Sequence, residues 1–404
     1  MIKWINILHF YQPSIVNNEI FDSVVASSYQ SWADFLSQYK NVKVTVNFSG
    51  CLTERLFNSG YNNLIKQFSK LAKKGQIEFL ESAAFHPILP LLPEKEVIHQ
   101  IQVNNQINHL RFGKSYQPAG FFLPEMAYSD KVAGIIKKLG YKYIVLDPIS
   151  INNIANVETR HCCVSTQKKI ANFIVDPNTK YQTKKHGLNI IFRDKTVSQT
   201  FVPETIINII ENNDLPKNPT IITATDSELY GHRYWNWWPA YSHLVKKTKK
   251  VTTATASEYL KSIKKSKIIS LRASSWESID KELKNKIPFA LWQNPKNKIH
   301  TLLWQLANFA LQLNWRHTKD PNHFASRLHL ENGLASCTFW WASSKDFKEL
   351  FAPIAWDPNM VEAGARELLN SIRALEKIKP ADKLKAEKLF TQIRHKIWGK
   401  HWKI

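Results

Sequence analysis

Short β-rich runs alternate with helical runs along the first two thirds of the chain, and this alternation constrains the fold most. The predicted strands are residues 2–8, 42–48, 76–80, 120–123, 142–146, 188–192 and 220–224. Helical patterns are predicted at residues 24–39, 52–74, 94–112, 129–139 and 204–212. Such alternation favours a parallel sheet or barrel, so we predict an α/β fold with an incomplete seven-stranded (β/α) barrel. Residues 150–187 do not follow this alternation of strands and helices, and they are expected to form an excursion with its own hairpin.

Strand signals fade after about residue 270, and amphipathic helices are predicted at residues 299–313, 361–378 and 381–398. Pro380 precedes the last of these, at a position where a helix tolerates proline. We therefore predict two domains, a barrel-like domain at residues 1–272 and a helical domain at residues 273–404. Only Trp4 and Trp32 precede Trp235, and all other tryptophans follow it. Their flat faces suit sugar rings, although they also suit helix-packing cores.

The chain is strongly basic, with 55 Lys and Arg against 33 Asp and Glu and a formal charge of +22. Such a charge can indicate a nucleic-acid partner or an anionic surface. However, no basic run alternates with aromatic residues, as a groove for a nucleic-acid strand requires. We therefore expect no nucleic-acid partner and attribute the charge to lysine that is abundant throughout.

The cysteines and the apolar runs bear on the compartment. Cys51, Cys162, Cys163 and Cys337 form no Cys-x-x-Cys pair, and two adjacent cysteines make a poor disulfide framework. The first residues resemble a strand rather than a signal peptide, and no apolar run reaches the ~18 residues that span a bilayer. We expect a cytoplasmic protein with no membrane partner, and the sequence does not predict its oligomeric state.

Polar residues follow nearly every predicted strand. Because functional side chains of parallel barrels lie at the carboxyl ends of the strands, these residues are the candidates for a site. Carboxylates, imidazoles and amides predominate, and these groups suit a polyhydroxyl ligand. The set is His9, Tyr11, Gln12, Asn47, Ser49, Glu81, Ser82, His86, Glu125, Asp147, Arg193, Asp194 and Asp226.

Two of these carboxylates are the best catalytic pair by position. Two carboxyl groups that flank a glycosidic bond can cleave it, one by attacking the anomeric carbon and the other by donating and recovering a proton. Glu125 follows Pro124 in a turn at a strand end, and Asp226 follows a largely apolar run. Each could instead cap the next helix, so the residues alone leave catalysis open.

A metal site is the main alternative. None of the 14 histidines lies four residues from another, and no Cys-x-x-Cys is present, so the usual local signatures of zinc are missing. A site assembled from distant strand ends, for example His9, His86 and Asp226, stays possible. The sequence contains no Gly-x-Ser-x-Gly, no Walker-type loop and no Gly-x-Gly-x-x-Gly, which argues against serine hydrolases, P-loop proteins and dinucleotide binding.

Four segments in order resemble the motifs of glycoside hydrolase family 57. They are HFYQP at residues 9–13, a segment at 75–90 that ends in FHPILP, FLPEMA at 122–127 and TDSELYGH at 225–232. Residues 334–341, LASCTFWW, stand where a fifth motif is expected. The resemblance covers most of residues 1–345. One departure is Tyr11, which stands where many members carry a second histidine.

The resemblance implies an incomplete barrel with a helical C-terminal domain that closes over the cleft. It also implies retaining action on α-glucosidic bonds of an oligo- or polysaccharide, with no metal or other cofactor. Glu125 would be the nucleophile and Asp226 the acid/base, while Glu228 would fix loop geometry. The substrate-binding candidates are His9, Gln12, His86, Glu81, His232, Trp340 and Trp341.

The expected function is therefore that of a retaining α-glucan hydrolase or transglycosylase. Two alternatives from other classes stay open, namely a metal-dependent carbohydrate deacetylase on a related barrel and a non-catalytic glycan-binding protein. The motifs do not decide between hydrolysis and transfer, or between linkages and chain lengths.

Overall fold

The computed structural model describes residues 1–152, 175–212, 219–247, 250–343 and 356–403. The chain forms two compact units. The first comprises Met1–Gln12, Val16–Ala84 and Leu89–Trp276, and the second comprises Pro13–Ile15, Phe85–Ile88 and Glu277–Ile404. The predicted domain boundary after residue 272 falls near the end of the first unit, and it stays a prediction because both units are discontinuous in sequence.

One sheet of ten strands is formed by the described residues of the first unit. The strands are β1 (Ile2–Phe10), β2 (Val44–Phe48), β3 (Ile77–Glu81), β4 (Gly120–Phe122), β5 (Tyr143–Leu146), β6 (Thr179–Thr183), β7 (Asn189–Phe192), β8 (Thr220–Asp226), β9 (Val251–Thr253) and β10 (Lys265–Ile269). Their order is β10-β6-β7-β5-β4-β3-β2-β1-β8, with β9 beside the start of β1. Pairing is parallel except between β6 and β7.

Helices follow most strands of the first unit and make up most of the second. The first unit has α1 (Asn18–Val24), α2 (Ser31–Gln38), α3 (Gly50–Asn58), α4 (Asn62–Lys73), α5 (Glu94–Phe112), α6 (Asp130–Lys138), α7 (Lys195–Ser198), α8 (Val202–Glu211), α9 (Trp237–Ser242) and α10 (Ala256–Ser262). The second unit begins with α11 (Asp280–Lys284). The second unit continues with α12 (Lys298–Arg316), α13 (His323–Gly333), α14 (Ser336–Trp340), α15 (Pro358–Ala374) and α16 (Pro380–His401). A π-helical turn, Val25–Gln30, joins α1 to α2.

The sheet has an apolar cluster on each face, because buried parallel strands are apolar on both sides. Trp4, Leu8 and Phe10 of β1 belong to the cluster between the sheet and the helices. Ile5 and Ile7 of the same strand belong to the cluster on the inner face, as the two-residue period of a strand requires. The sheet curls on itself, since the N–H of Asp194 just after β7 donates to the carbonyl of Ile222 in β8 at 2.6 Å.

The predicted fold class is confirmed, and each of the seven predicted strands is present. Three strands were not predicted because their sequences carry little apolar signal. Four of the five residues of β10 are exposed, β9 has three residues, and β6 alternates polar with buried positions. β6 lies in the predicted excursion and pairs antiparallel with β7, which follows it. Residues 153–174 lie outside the described residues, so a hairpin within the excursion itself stays a prediction.

Helices α12, α13, α15 and α16 of the second unit pack around an apolar core. It includes Leu303, Leu306, Leu330, Leu368, Leu369, Ile372, Phe390 and Ile393. The carboxylate of Asp320 accepts hydrogen bonds from the N–H groups of Glu376 and Lys377, and so fixes the turn between α15 and α16. Pro380 is the first residue of α16, as predicted.

Two further observations concern the expected compartment. Within the described ranges, no helix has the length and apolar character needed to cross a membrane. Cys51 is buried and Cys337 is partly buried, while Cys162 and Cys163 lie outside the described residues.

Candidate active site

Side chains of several strands meet inside the curled sheet at its carboxyl edge. The two-residue period that places Ile5 and Ile7 on the inner face also places His9 there. The same argument applies to the residues at or just after the ends of β2, β5, β7 and β8. The inward polar set is His9, Asn47, Asp147, Arg193 and Asp226.

His9 and Asp226 are direct neighbours on adjacent parallel strands, because they are partners in the register of β1 with β8. Nδ1 of His9 lies 2.9 Å from Oδ1 of Asn47. Since that oxygen only accepts, Nδ1 carries the proton and Nε2 has the lone pair. Burial lowers the pKa of His9, against the opposing effects of Asp226 and Asn47. A neutral imidazole thus stands beside the Asp226 carboxylate.

Glu125 lies in a short turn, Pro124–Met126, directly after β4. Its backbone is in the left-handed region, with φ 57° and ψ 20°, and Met126 follows with φ 46°. Non-glycine residues seldom adopt such angles, and they cluster at functional sites. Nε1 of Trp276 donates a hydrogen bond to Oε2 of Glu125 at 2.8 Å.

Aromatic contacts connect the surroundings of Glu125 to those of Asp226. The ring of Phe122, on β4, stacks on His9 with 4.7 Å between centroids and 13° between planes. Trp276 packs edge-on against both rings, with centroids 6.4 Å from His9 and 6.1 Å from Phe122. His9, Phe122 and Trp276 therefore form a continuous aromatic layer that links the strand neighbour of Asp226 to the hydrogen-bond donor of Glu125.

A buried ion pair adds charge to the same edge. Nε of Arg193 donates to Oδ2 of Asp147 at 2.8 Å, and both side chains are almost fully buried. Nη1 of Arg193 also donates to the carbonyl of Ala224, in β8, at 3.2 Å. Its guanidinium lies 5.0 Å from the ring centroid of Trp276. Arg193 thus connects β5, β7, β8 and the aromatic layer.

The loop after Asp226 carries a second carboxylate, that of Glu228, which is buried. Its Oε1 accepts hydrogen bonds from the hydroxyl of Tyr29 at 2.5 Å and from Nε2 of Gln12 at 3.0 Å. Burial, reinforced by the charge of Asp226, raises the pKa of Glu228 to about 7, against the effect of these two donors. Gln12, predicted to bind substrate, therefore has its amide N–H directed to Glu228.

His232 ends the same loop. Its Nδ1 lies 3.3 Å from the hydroxyl of Ser27, and burial lowers its pKa, as does the charge of Arg233. The preceding Gly231 has φ 99°, and a Cβ atom there would lie 1.9 Å from the carbonyl oxygen of Ser27. Only glycine allows the loop to approach the π-helical turn this closely.

The structure does not support the prediction that Glu81 binds substrate. Ile77 and Phe79 of β3 face the helices, and the strand period places Glu81 with them. Its carboxylate is fully buried and accepts hydrogen bonds from protein groups on both oxygens. The donors are the Ser82 N–H, Asn104, Asn105, Tyr116 and Tyr141. Glu81 thus anchors α5 to the sheet.

Three predicted substrate-binding residues belong to the second unit. His86 is buried with φ 56°, and its Nδ1 lies 2.9 Å from the hydroxyl of Ser336. Trp340 ends α14, and Trp341 follows it; both are partly buried. Their roles toward substrate stay predictions.

Sequence reasoning did not identify Trp276 or Tyr29 as site residues. Trp276 was one of many C-terminal tryptophans, and Tyr29 lies inside a predicted helix with no motif around it. Each reaches its carboxylate through a contact distant in sequence, 151 residues for Trp276 to Glu125 and 199 for Tyr29 to Glu228. No local pattern signals such contacts.

The described part of the chain contains no group of three or more His, Cys, Asp or Glu side chains arranged to hold a metal ion.

Barrel-type glycoside hydrolases use carboxylates at the carboxyl edge of a curled parallel sheet, and Glu125 and Asp226 of this chain lie at such an edge. The model of glycosyl hydrolase family 57 matches residues 4–272, and the chain belongs to this family.

Relatives and solved structures agree with this assignment. Alpha-amylase 1 of Dictyoglomus thermophilum is 27% identical over 140 residues, which are 35% of this chain and 20% of that protein. The chain is similar in fold to the 4-alpha-glucanotransferase from Thermococcus litoralis, with TM-score 0.67 at 16% identity over 93% of this chain and 58% of that one. It is similarly close to the alpha-amylase AmyC from Thermotoga maritima, with TM-score 0.65 at 13% identity over 96% of both chains. The matched part spans only about a fifth of the length of the curated relative.

Proposed function

We propose that this protein is a retaining glycoside hydrolase or transglycosylase that acts on α-glucosidic bonds of α-glucans. Glu125 is the nucleophile and Asp226 the acid/base. The observation that supports this most directly is the aromatic layer of His9, Phe122 and Trp276, which links the strand neighbour of Asp226 to the hydrogen-bond donor of Glu125 in a family 57 barrel. The names of the relatives, alpha-amylase and 4-alpha-glucanotransferase, support the substrate class.

The reaction proceeds in two displacements. Glu125 attacks the anomeric carbon while the bond to the leaving oxygen breaks and that oxygen takes a proton from Asp226. In the second step, water or a sugar hydroxyl gives its proton to Asp226 and attacks the same carbon, and the bond to Glu125 breaks. A water acceptor gives hydrolysis, and a sugar acceptor gives transfer.

The residues around the two carboxylates position them and contact the sugar. A neutral His9 beside Asp226 offers its ring to a sugar hydroxyl without adding a charge next to the acid. Trp276 and Phe122 are buried and pack on His9, and so hold its imidazole in place. His86, Trp340 and Trp341 are proposed as further contacts to the sugar, on the family resemblance.

Incubation with maltoheptaose tests the reaction. We expect shorter products alone for hydrolysis, and longer and shorter products together for transfer. Glu125→Gln and Asp226→Asn should each lower kcat by about 10³-fold or more, because each removes one of two required groups. Glu211→Gln is the control, since Glu211 is an exposed carboxylate at the end of α8 and should leave the rate unchanged. Activity close to that of the wild type in either site variant would refute the assignment.

Azide separates the two roles. With an activated α-maltosyl substrate, azide should restore turnover to Glu125→Ala by attacking from the face opposite the leaving group, which yields the β-glycosyl azide. Asp226→Ala should instead yield the α-glycosyl azide, because azide then resolves a glycosyl-enzyme. The reverse pattern would exchange the roles.

The two alternatives give different outcomes. A deacetylase would act on an acetylated sugar, lose activity with a chelator and regain it with zinc. A glycan-binding protein would bind maltooligosaccharides and release no product after long incubation.

A further inference from the structure

Residues 270–276 form an extended strap across the carboxyl ends of β4 and β5. Backbone hydrogen bonds pair the strap with the segments that follow these strands. They run from Asn152 N to Ser270 O (3.0 Å), Arg272 N to Ser150 O (2.7 Å), Tyr128 N to Ser274 O (2.8 Å), Ser274 N to Tyr128 O (3.3 Å) and Trp276 N to Glu125 O (3.2 Å). One short segment therefore fixes both the turn of Glu125 and the loop that follows Asp147.

The strap explains how the turn of Glu125 keeps its conformation. Two consecutive non-glycine residues with positive φ, Glu125 and Met126, cost on the order of 1–3 kcal/mol each. Such angles persist only where the surrounding structure determines them. The bond from Trp276 N–H to the carbonyl of Glu125, and the two bonds between Ser274 and Tyr128, provide that restraint.

The side chain of Trp276 adds a fixed donor to the same restraint. Its ring is 8% exposed and is held between His9, Phe122 and the guanidinium of Arg193. Nε1 points at Oε2 of Glu125 from 2.8 Å. A packed indole cannot turn its N–H elsewhere, and it carries no proton that titrates, so the direction and strength of this donor do not change with pH.

We propose that Trp276 is a positioning residue for the nucleophile, and that its N–H stabilises the charge which returns to Glu125 when the glycosyl-enzyme is broken down. The inference rests on the proposed function. In the first displacement the carboxylate loses its charge as the ester forms, and in the second the ester bond breaks and the charge returns to the carboxylate. A hydrogen bond to a charged acceptor is stronger than one to a neutral ester, so the donor favours the second step.

Trp276→Phe keeps the ring and removes the N–H. With an activated α-maltosyl substrate, whose first displacement is fast, we expect kcat to fall about 10- to 100-fold. We expect KM to fall as well, because glycosyl-enzyme accumulates; a burst of leaving group and a mass increase on Glu125 should report it. The acid limb of kcat/KM should move to higher pH, since the charged carboxylate has lost a donor.

Trp4→Phe is the matched control. Trp4 is fully buried in the same unit and its Nε1 also donates a hydrogen bond, to Thr223 at 2.8 Å, but it lies in the cluster between the sheet and the helices. We expect the burst, KM and the acid limb of Trp4→Phe to equal those of the wild type. If Trp276→Phe unfolds, replacement of Trp276 with benzothienylalanine, in which sulfur takes the place of the N–H, keeps the shape and allows the same measurements.

The outcomes separate this inference from the proposed function. If Glu125→Gln is inactive and Trp276→Phe behaves like Trp4→Phe, the role of Trp276 is refuted and the nucleophile stands. The role would also be refuted if kcat fell while the burst, KM and the acid limb all stayed as in the wild type, because that result would show a structural role alone. If Glu125→Gln stays active, the proposed function itself fails.

Discussion

The two loops that carry the carboxylates proposed as catalytic are held by different chemistry. The turn of Glu125 is fixed by backbone bonds to the strap and by the neutral N–H of Trp276. The loop after Asp226 is fixed by polar side chains of the π-helical turn, because Ser28 donates to the carbonyl of Ser227 at 2.8 Å and Tyr29 donates to Glu228. The groups that hold the turn of Glu125 carry no titrating proton, whereas the loop after Asp226 is held through the carboxyl group of Glu228, whose pKa is raised to about 7.

This difference suits the two chemical tasks. A nucleophile must hold one position and stay charged, so neutral donors and a strained but well-restrained backbone serve it. An acid/base exchanges a proton in every cycle, so the charges near it matter. Glu228 lies two residues from Asp226 and interacts with its charge. We therefore expect the acid loop, and not the turn of Glu125, to respond to pH.

The largest expected effect comes from breaking the close approach of the acid loop to the π-helical turn. Gly231→Ala places a methyl group 1.9 Å from the carbonyl oxygen of Ser27, at a residue with φ 99°. We expect the free energy of unfolding to fall by about 3 kcal/mol or more, because both the clash and the backbone angle oppose alanine. In the protein that still folds, kcat should fall at least about 10-fold, since Asp226 loses its fixed position.

Gly399→Ala is the control for that substitution. Gly399 lies in α16, and a Cβ atom there has no heavy atom within 4 Å. Alanine at this position should raise helix propensity by roughly 0.5–1 kcal/mol and leave kcat unchanged. Equal urea-unfolding curves for Gly231→Ala and the wild type would show that the loop does not depend on this contact.

The second prediction isolates the titrating group of the acid loop. The pKa of Glu228 is raised from 4.5 to about 7. The contribution of this group to the free energy of unfolding is therefore fully present below about pH 4.5 and is lost as pH rises through 7. Glu228→Gln removes the titration while an amide oxygen can still accept from Tyr29. Relative to the wild type, the variant should gain on the order of 2–3 kcal/mol between pH 4.5 and pH 8.

Urea unfolding at several pH values measures this gain, and Glu211→Gln, at an exposed site, should show no pH-dependent difference. A difference between Glu228→Gln and the wild type that is the same at every pH would contradict the assignment of the titration to Glu228.

Much of the site followed from the sequence because the strand period and the barrel topology are strong constraints. Apolar residues at positions 5 and 7 already place His9 on the inner face of β1, and parallel pairing brings it beside Asp226. The same parity, applied to Ile77 and Phe79, places Glu81 on the helix side; the motif suggested a sugar contact there, and the strand period opposes it.

Other parts of the site depend on contacts that no local pattern encodes. The strap pairs residues 270–276 with segments that precede it by more than a hundred positions, and its own sequence carries no strand signal. The sequence predicts Tyr29 within a helix, but only the π-helical turn directs its side chain towards Glu228. A π turn changes which side chains share a helix face, and amphipathic patterns do not reveal it.

The smallest expected effect tests one hydrogen bond of the acid loop. Tyr29→Phe keeps the ring on Phe10 and removes the hydroxyl that donates to Glu228 at 2.5 Å. Because this bond lowers the pKa of Glu228 in the wild type, its loss should raise that pKa further and extend the loss of stability to higher pH. We expect a destabilisation of about 1 kcal/mol at pH 6 that grows to about 2 kcal/mol at pH 9, since a bond to a charged acceptor is stronger.

Tyr61→Phe is the control, because the Tyr61 hydroxyl donates to Asp22 away from the acid loop, and its effect should stay near zero and show no such rise. A destabilisation by Tyr29→Phe that stays constant across this range would mean that Glu228 keeps one charge state, and the contrast between the two loops would then lie in geometry alone.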